Sequence, residues 1–246
     1  MQETAGTILN KYKQYVGLAD AKKISEKRVD MMHIIGLTGG IGSGKSTASE
    51  YLHKLGFQTI DFDMETRKLQ EPGQPALKDI VEAFGPDALL PDGTMNRKYV
   101  GKIVFSDPKQ KEKLDNIIKK YVDVLINAET DEFDEQSKNV TRENHPDDYL
   151  QKTVIFYDHP LLFEVPYNIK PAEEAWVLDL DDELRISRIK MRDGLSREEI
   201  LKRMNSQSSR AEKLARADCV IDNSGTKEDL CRNIDKALAD LDSRIE

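Results

Sequence analysis

The amino-acid sequence predicts an α/β fold of three layers, in which a five-stranded parallel sheet is flanked by helices. Five short apolar or β-branched runs alternate with longer segments of helical periodicity, and the sequence has no internal repeat. A glycine-rich loop directly follows the first of these runs. The alternation indicates parallel strands joined by helical crossovers, and the loop marks the sheet edge at which a ligand is expected.

The glycine-rich loop reads GGIGSGKS over residues 39–46, directly after the apolar run 34–37. A glycine at each end of a four-residue gap, followed by Lys and Ser, is the pattern of a loop that binds nucleotide phosphates. Glycine lets successive backbone N–H groups turn toward phosphate oxygens without a Cβ clash. Lys45 would supply charge to the outer phosphates and Ser46 a hydroxyl to Mg²⁺, while the following helix adds its positive dipole end. The alternative is a purely structural glycine turn. It is disfavoured because all positions of the phosphate-loop pattern are matched and the loop lies between a predicted strand and a predicted helix.

Composition argues against several other classes of protein. The formal net charge is −8 with acidic and basic residues interspersed, so general attraction to nucleic acid or to an anionic membrane is not expected. Two cysteines are too few for a disulfide framework, and no apolar run is long enough to span a bilayer. The start of the chain lacks the apolar region of a secretory signal. We therefore expect a cytoplasmic protein, either a monomer or a small homo-oligomer.

The second predicted strand, residues 57–60, leads into Asp61-Phe62-Asp63. Because side chains alternate along a strand, the two carboxylates point to the same side at the edge where α/β sheets bind ligands. A carboxylate there can orient an attacking hydroxyl, accept its proton or hold Mg²⁺ through water. The alternative is helix capping, because Asp63 precedes a helical pattern over 64–69. We expect at most one of the two to be a cap.

A helical block lies between the second and third predicted strands. Residues 71–130 contain three helical patterns and no strand, as expected for an insertion that covers an acceptor substrate. The block includes the basic pair Lys119-Lys120, for which a solvated helix face is the more frequent explanation. The polar, acidic stretch 131–151 is interpreted as a surface loop or a helix end.

Two further strand ends are predicted at the ligand-binding edge of the sheet. The apolar run 154–157 is typical of a strand buried on both faces, and it ends in Asp158. Four apolar residues closed by an acid resemble the second acidic motif of phosphate-loop NTPases, so Ser46 and Asp158 are the predicted metal-binding residues. The last strand is followed by a turn that contains Asn223. In such a fold this turn lies near the phosphate loop and can border the adenine.

A basic helix follows the fourth predicted strand. Arg185, Arg188 and Arg192 recur at intervals of three and four residues, which places them on one helix face. Near a phosphate-binding edge, this spacing favours a lid that closes over the transferring phosphate. Gly194 then breaks the helical pattern before a second helix, as expected for a hinged lid. The alternative is an exposed helix with internal salt bridges, because acidic residues occupy its first turn.

Seven segments of the chain, taken in order, carry a resemblance to one known family. They are residues 35–47, 61–63 with Arg67, 71–77, 84–85, 92–93, 160–164 and 217–223. Many nucleotide-binding proteins share the phosphate loop, whereas the run Pro-Leu-Leu-Phe-Glu after an Asp-ended strand is far more particular. On these segments, which span nearly all of residues 33–230, the sequence resembles the dephospho-coenzyme A kinase family.

The resemblance implies a phosphate-loop kinase that transfers the γ-phosphoryl group of ATP, with Mg²⁺, to the ribose 3′-hydroxyl of dephospho-CoA. This reaction is the last step of coenzyme A biosynthesis. By similarity, Asp63 is the base or orienting carboxylate, while Lys45, Arg188 and Arg192 stabilise the transferring group. Two alternatives stay open, namely a phosphate-loop kinase of another nucleoside or nucleotide and a non-catalytic ATP-binding regulatory module.

The same resemblance implies two sets of binding residues. The expected ATP-binding residues are Gly40, Ile41, Gly42, Ser43, Gly44, Lys45, Ser46, Thr47 and Asn223. The expected acceptor-binding residues are Asp61, Asp63, Arg67 and Glu164. The residues themselves leave one alternative open, in which Glu164 is an ordinary surface residue.

The predicted domain organisation is an N-terminal extension followed by one kinase domain. The extension, residues 1–30, is expected to be either helical or disordered, and dispensable. The domain comprises a core of residues 31–70, 152–182 and 215–246, an acceptor-binding region 71–130, an acidic insertion 131–151 and a lid 183–214. The extension and the insertion have no clear family counterpart, and Lys119-Lys120 stands where the family usually has a His-Pro pair.

Overall fold

The computed structural model describes residues 32–245, and its central element is a five-stranded sheet. The strands are β1 (His33–Gly39), β2 (Gln58–Asp61), β3 (Val154–Asp158), β4 (Glu174–Asp179) and β5 (Cys219–Asp222). Their order across the sheet is β2-β3-β1-β4-β5, and every neighbouring pair is parallel. The predicted α/β fold with a five-stranded parallel sheet is confirmed.

Among the described residues, helices lie between most of these strands and after the last one. Their bounds are α1 (Lys45–Lys54), α2 (Phe62–Lys68), α3 (Pro75–Phe84), α4 (Arg97–Ser106), α5 (Pro108–Ser137), α6 (Tyr149–Thr153), α7 (Asp182–Asp193), α8 (Arg197–Met204), α9 (Arg210–Ala215) and α10 (Lys227–Arg244). None of these helices is long and apolar enough to cross a membrane.

The register of the sheet brings acidic residues to its carboxyl edge. Asp158 at the end of β3 pairs with Leu37 of β1 and, on its other side, with Asp61 of β2. On the opposite half of the sheet, Asp179 of β4 pairs with Asp222 of β5. Carboxylates from four strands therefore end at the edge where β1 continues into the glycine-rich loop.

The described chain divides into two compact units. The sheet unit contains residues 32–61, 133–166 and 171–245, and the helical unit contains Phe62–Glu132 and Tyr167–Lys170. In the sheet unit, all five residues of β3 are buried, as predicted for a strand covered on both faces. Phe156 and Trp176 lie at its centre in an edge-to-face contact, with ring centroids 5.4 Å apart.

The helical unit has a hydrophobic core of its own. Ile80 and Phe84 of α3 pack with Val100 of α4, and apolar residues of α5 pack against them. The hydrophobic residues of α3 recur at helical spacing, so one face of that helix is buried. These contacts give the helical insertion an internally packed frame.

The acidic stretch 131–151 is more regular than the sequence suggests. Helix α5 continues to Ser137, and α6 begins at Tyr149. Phe133 and Ser137 are buried, and the Ser137 hydroxyl donates to the backbone oxygen of Lys152 at 2.7 Å. The helix-end alternative therefore describes residues 131–137 and 149–151, and the loop alternative describes residues 138–148. The predicted N-terminal extension, residues 1–30, lies outside the described residues.

Candidate active site

The phosphate loop connects β1 to α1 and takes the conformation that its glycines allow. Gly42 and Gly44 have φ angles of +81° and +93°, in the region that residues with a Cβ rarely adopt. A Cβ at Gly44 would also overlap the side-chain amide of Asn223. Helix α1 begins at Lys45 directly after this glycine, so its N-terminal N–H groups and dipole lie at the loop.

Three side chains that are distant in sequence hold the loop from the rest of the sheet unit. Arg185 donates from Nε to the backbone oxygen of Ile41 at 3.0 Å, and Gln207 accepts from the Ile41 N–H at 3.0 Å. Asn223 donates from Nδ2 to the backbone oxygen of Ser43 at 2.7 Å. The loop is therefore fixed on both sides by polar contacts, which prearranges it for an anionic ligand.

Lys45 forms an ion pair with Asp158. Burial raises the pKa of the Asp158 carboxyl, whereas the Lys45 ammonium and a hydrogen bond from Ser49 act in the opposite direction. A buried carboxylate needs such a cation, because an unpaired charge in the interior is costly. The ammonium predicted to bind phosphate is therefore paired with a protein carboxylate.

The next residue, His159, is buried and neutral near pH 7. Burial lowers the pKa of its imidazole to about 4, and the nearby Lys45 ammonium acts in the same direction. Nδ1 of His159 accepts a hydrogen bond from the backbone N–H of Leu161 at 3.2 Å. His159 therefore stabilises the turn after β3 and does not add a positive charge to the site.

The predicted metal residues are brought to the same end of the sheet unit. Ser46 is exposed in the first turn of α1, and Asp158 is held by Lys45 from that same turn. Hydroxyl and carboxylate oxygens are suitable ligands for Mg²⁺. Among residues 32–245, no group of three or more His, Cys, Asp or Glu side chains could hold a metal ion.

The three arginines of α7, which helical spacing predicts on one face, differ in their exposure and in their partners. Arg185 is buried under the phosphate loop and also pairs with Asp182 at 2.7 Å. Arg188 donates to the backbone oxygen of Asn223 at 3.0 Å, and Arg192 forms a two-point contact with Asp193 at 2.7 and 2.9 Å. The salt-bridge alternative thus describes two of the three arginines. Arg188 therefore contacts Asn223, the residue whose side chain is hydrogen-bonded to the phosphate loop.

Glu164 anchors α9 and the residue before its N-cap to the turn after β3. One carboxylate oxygen accepts from Nζ of Lys213 at 2.7 Å and from the backbone N–H of Ser208 at 2.8 Å. Burial would raise the pKa of Glu164, but these hydrogen bonds outweigh it and hold the pKa below its usual value. The Lys213 side chain is only 3% exposed and that of Glu164 19%, so this ion pair is largely removed from water. The acceptor-binding role of Glu164 stays a prediction, and its contacts here are structural.

Replacing Lys213 by Met is expected to reduce the free energy of unfolding by about 3 kcal/mol, because the Glu164 charge would stay buried without its cation. Since the folded-state pKa of Glu164 is lowered, wild-type protein gains stability from this group above the ordinary carboxyl pKa and loses it as the pH falls. Urea unfolding at neutral and acid pH measures both effects. Lys202→Met, at an exposed lysine of α8, is the control. Equal unfolding free energies for the two variants would contradict the anchoring role.

A second anchor joins α9 to the sheet. Arg210 donates from Nε and Nη2 to the two carboxylate oxygens of Asp179 at 2.6 and 2.7 Å. These hydrogen bonds lower the pKa of Asp179, although burial opposes them. A bidentate pair of this kind fixes orientation as well as distance. The carboxylate at the end of β4 is therefore occupied by the protein itself.

Three predicted acceptor residues lie at and after the end of β2. Asp61 ends that strand, whereas Asp63 is the second residue of α2. The N-cap alternative for Asp63 is therefore wrong, because the helix already begins at Phe62. In the part of the chain that the structure describes, no hydrogen bond or ion pair engages the exposed Asp63 carboxylate. Arg67 is exposed on the same helix.

Several functional contacts were not predicted from the sequence. They are the Gln207 contact to the loop, the placement of Arg185 beneath it, and the pairs Arg210–Asp179 and Lys213–Glu164. Each joins residues more than 30 positions apart, and none leaves a periodic pattern. The only signal in the sequence was that Gln207, Arg210 and Lys213 lie close together ahead of the last strand.

A parallel sheet of order β2-β3-β1-β4-β5 with this loop after β1 defines a phosphate-loop NTPase fold. The family model for dephospho-CoA kinase matches residues 33–229. The dephospho-CoA kinase of Lactococcus lactis subsp. lactis is 38% identical over 219 residues, which are 86% of this chain and 99% of that protein. The chain belongs to the dephospho-CoA kinase family.

Solved structures agree with this assignment. The crystal structure of TT1252 from Thermus thermophilus is 31% identical, with a TM-score of 0.69, and the alignment covers 85% of this chain and 98% of that one. Dephospho-CoA kinase from Campylobacter jejuni is 27% identical, with a TM-score of 0.59 and coverage of 85% and 96%. The similarity extends over almost the full length of both proteins.

Proposed function

We propose that this protein transfers the γ-phosphoryl group of ATP to the ribose 3′-hydroxyl of dephospho-CoA, which gives CoA in the last step of its biosynthesis. The observation that carries the proposal is the preformed phosphate loop, with Lys45 at the first residue of α1, in a chain that matches the family over residues 33–229. The phosphate loop is the evidence for ATP as the phosphoryl donor, and membership of the family is the evidence for dephospho-CoA as the acceptor.

On the donor side, the loop N–H groups and the start of α1 would bind the phosphates of ATP. Lys45 would exchange Asp158 for the outer phosphates, which places its charge where negative charge is transferred. Asn223 and Arg188 support the loop and are assigned to ATP binding and transition-state stabilisation, respectively. Arg192 is assigned the same role as Arg188, after leaving Asp193. A loose phosphoryl-transfer transition state needs this positioning and charge more than covalent chemistry.

On the acceptor side, Asp63 would accept a hydrogen bond from the 3′-hydroxyl and then its proton. Its carboxylate is exposed near the start of α2, so it is accessible to a substrate. Asp61 and Arg67 are assigned to acceptor binding, and the helical block 71–130 to the surface that receives the acceptor. Residues 183–214 are proposed to act as a lid.

Mg²⁺ is the proposed metal cofactor. Ser46 and Asp158 would hold it, because they provide hard oxygen ligands beside the phosphate loop. When bound with ATP, the ion neutralises charge on the phosphate oxygens. The cytoplasmic location and the oligomeric state stay predictions from the sequence.

Wild-type protein incubated with Mg-ATP and dephospho-CoA is expected to produce CoA, detected by mass spectrometry as one added phosphate. A panel of nucleosides and nucleotides at equal concentration is the control for acceptor choice. A higher kcat/KM for one of these acceptors would contradict the proposed substrate. ATP binding without any phosphorylated product would indicate a regulatory module.

A further inference from the structure

Lys119 is a cation in the helical unit with a direct packing connection to the start of α2. Its ammonium, on α5, lies 5.4 Å from the centre of the Tyr167 ring. That ring packs against Phe62, with centroids 5.6 Å apart. Phe62 begins α2 and precedes Asp63 in the chain. Lys119 is therefore connected, through two aromatic rings, to the segment that carries the proposed base.

The surroundings of this cation are acidic. Lys119 pairs with Asp123, one turn further along α5, at 3.1 Å. Burial raises the pKa of the Tyr167 hydroxyl to about 12. The negative charges of three carboxylates, Asp123, Asp115 and Asp63, act in the same direction. An acceptor that carries phosphate groups would be repelled by these carboxylates unless a cation were present on the same surface.

Asp123 has a second partner, which allows Lys119 to change its own. The carboxylate of Asp123 also accepts a hydrogen bond from the backbone N–H of Asn168 at 2.9 Å. The Lys119 side chain is 31% exposed, so its ammonium can reach a ligand from solvent. If it turns to a phosphate oxygen, Asp123 keeps a donor. The exchange therefore leaves no carboxylate without a hydrogen bond.

The neighbouring Lys120 is directed to a different partner. It donates to Asp79 of α3 at 3.2 Å and lies 4.7 Å from the centre of the Tyr121 ring. Both lysines thus pair with one Asp and one Tyr, but only Lys119 contacts the ring that packs on Phe62. Lys120 is therefore a closely matched control for charge, helix position and aromatic contact.

We propose that Lys119 binds the diphosphate of the acceptor. The proposal rests on the function proposed above, because dephospho-CoA carries a diphosphate on the 5′ side of the ribose whose 3′-hydroxyl is phosphorylated. Lys119 supplies a point charge with rotatable donors, which suits a diphosphate that is held but not transformed. The role is binding of the acceptor, since Lys119 takes no part in the chemical step.

The test compares Lys119→Gln with Lys120→Gln in steady-state assays of the full chain, with dephospho-CoA varied at saturating Mg-ATP. Lys119→Gln is expected to raise the KM for dephospho-CoA about tenfold or more, the usual effect of losing one charge-assisted hydrogen bond. Its kcat and its KM for ATP should stay within about twofold of wild type, because those steps do not use the ammonium. Lys120→Gln should leave kcat, the KM for ATP and the KM for dephospho-CoA within about twofold of wild type. Lys119→Arg keeps the positive charge, so its KM for dephospho-CoA should stay close to the wild-type value.

Two further measurements separate binding from a structural role. Raising the KCl concentration should increase the KM of wild type more than that of Lys119→Gln, because salt screens the contact that the variant lacks. Thermal unfolding should show the same Tm for both Gln variants within about 2 °C. Gln keeps much of the side-chain length and can still donate to Asp123, so the fold is retained.

An unchanged KM for dephospho-CoA in Lys119→Gln would overturn the inference. A parallel loss of kcat, ATP affinity and Tm would also overturn it, since that pattern indicates a structural residue. Failure of the proposed function is a different result, because wild-type protein itself would then form no CoA.

Discussion

Replacing Asp63 by Asn is expected to lower kcat for dephospho-CoA by about 10²-fold or more. The amide cannot accept the proton of the 3′-hydroxyl, while its shape and its position in α2 are retained. The KM for ATP should change less than about twofold, because Asp63 is assigned to the acceptor and not to the donor. Rapid-quench measurement of a single turnover reports the chemical step directly.

Asp61→Asn is the comparison for Asp63→Asn, because Asp61 is assigned to acceptor binding and its loss should raise the KM for dephospho-CoA while kcat stays within about twofold. Asp61 is two residues earlier, but it belongs to the sheet and pairs in register with Asp158. If kcat falls only in Asp63→Asn, the carboxylate that orients the 3′-hydroxyl is the one on α2. Full activity of Asp63→Asn would remove this residue from the mechanism, and an equal loss in both variants would indicate that local charge matters more than one base.

Replacing Lys45 by Met is expected to lower kcat/KM for ATP by about 10³-fold, of the order found when a preorganised charge at a developing oxyanion is removed. The same change leaves Asp158 buried without its cation, so the Tm of the nucleotide-free protein should also fall. Steady-state kinetics with ATP varied and calorimetry without nucleotide measure the two effects.

Lys54→Met provides the comparison, because Lys54 is exposed in the last turn of the same helix. We expect that variant to keep wild-type kinetics and stability. A double variant, Lys45→Met with Asp158→Asn, should recover Tm but not activity, since it removes the unpaired carboxylate without restoring the phosphate contact and also removes a proposed Mg²⁺ ligand. Recovery of activity in the double variant would argue against a direct role for Lys45.

Local sequence patterns were sufficient for the fold and for the donor loop. The alternation of strand and helix patterns, the glycine spacing of the loop and the Asp at the end of β3 are properties of short segments, and each is found at its predicted place. These features can be predicted from sequence because backbone conformation and strand burial depend largely on residue types within a short segment.

The contacts among the predicted site residues could not be obtained in the same way. Helical spacing correctly placed Arg185 on the same helix as Arg188, but it could not show that the first lies beneath the loop and the second on the turn after β5. Glu164 shows the same limit, because its partner Lys213 is 49 positions away. Periodicity gives the face of an element, whereas the partner on that face depends on tertiary packing.

The contacts that hold the phosphate loop also determine when the site can form during synthesis. They join Ile41 to Arg185 and Gln207, and Ser43 to Asn223, across 144, 166 and 180 positions of the chain. Contacts of such long range close late, because much of the chain must be ordered first. When only the first half of the chain has been synthesised, the GGIGSGKS loop is complete. The three side chains that hold it, those of Arg185, Gln207 and Asn223, have not yet been made. We therefore expect the loop to reach its described geometry, and with it full nucleotide affinity, only after β5 and Asn223 have been synthesised.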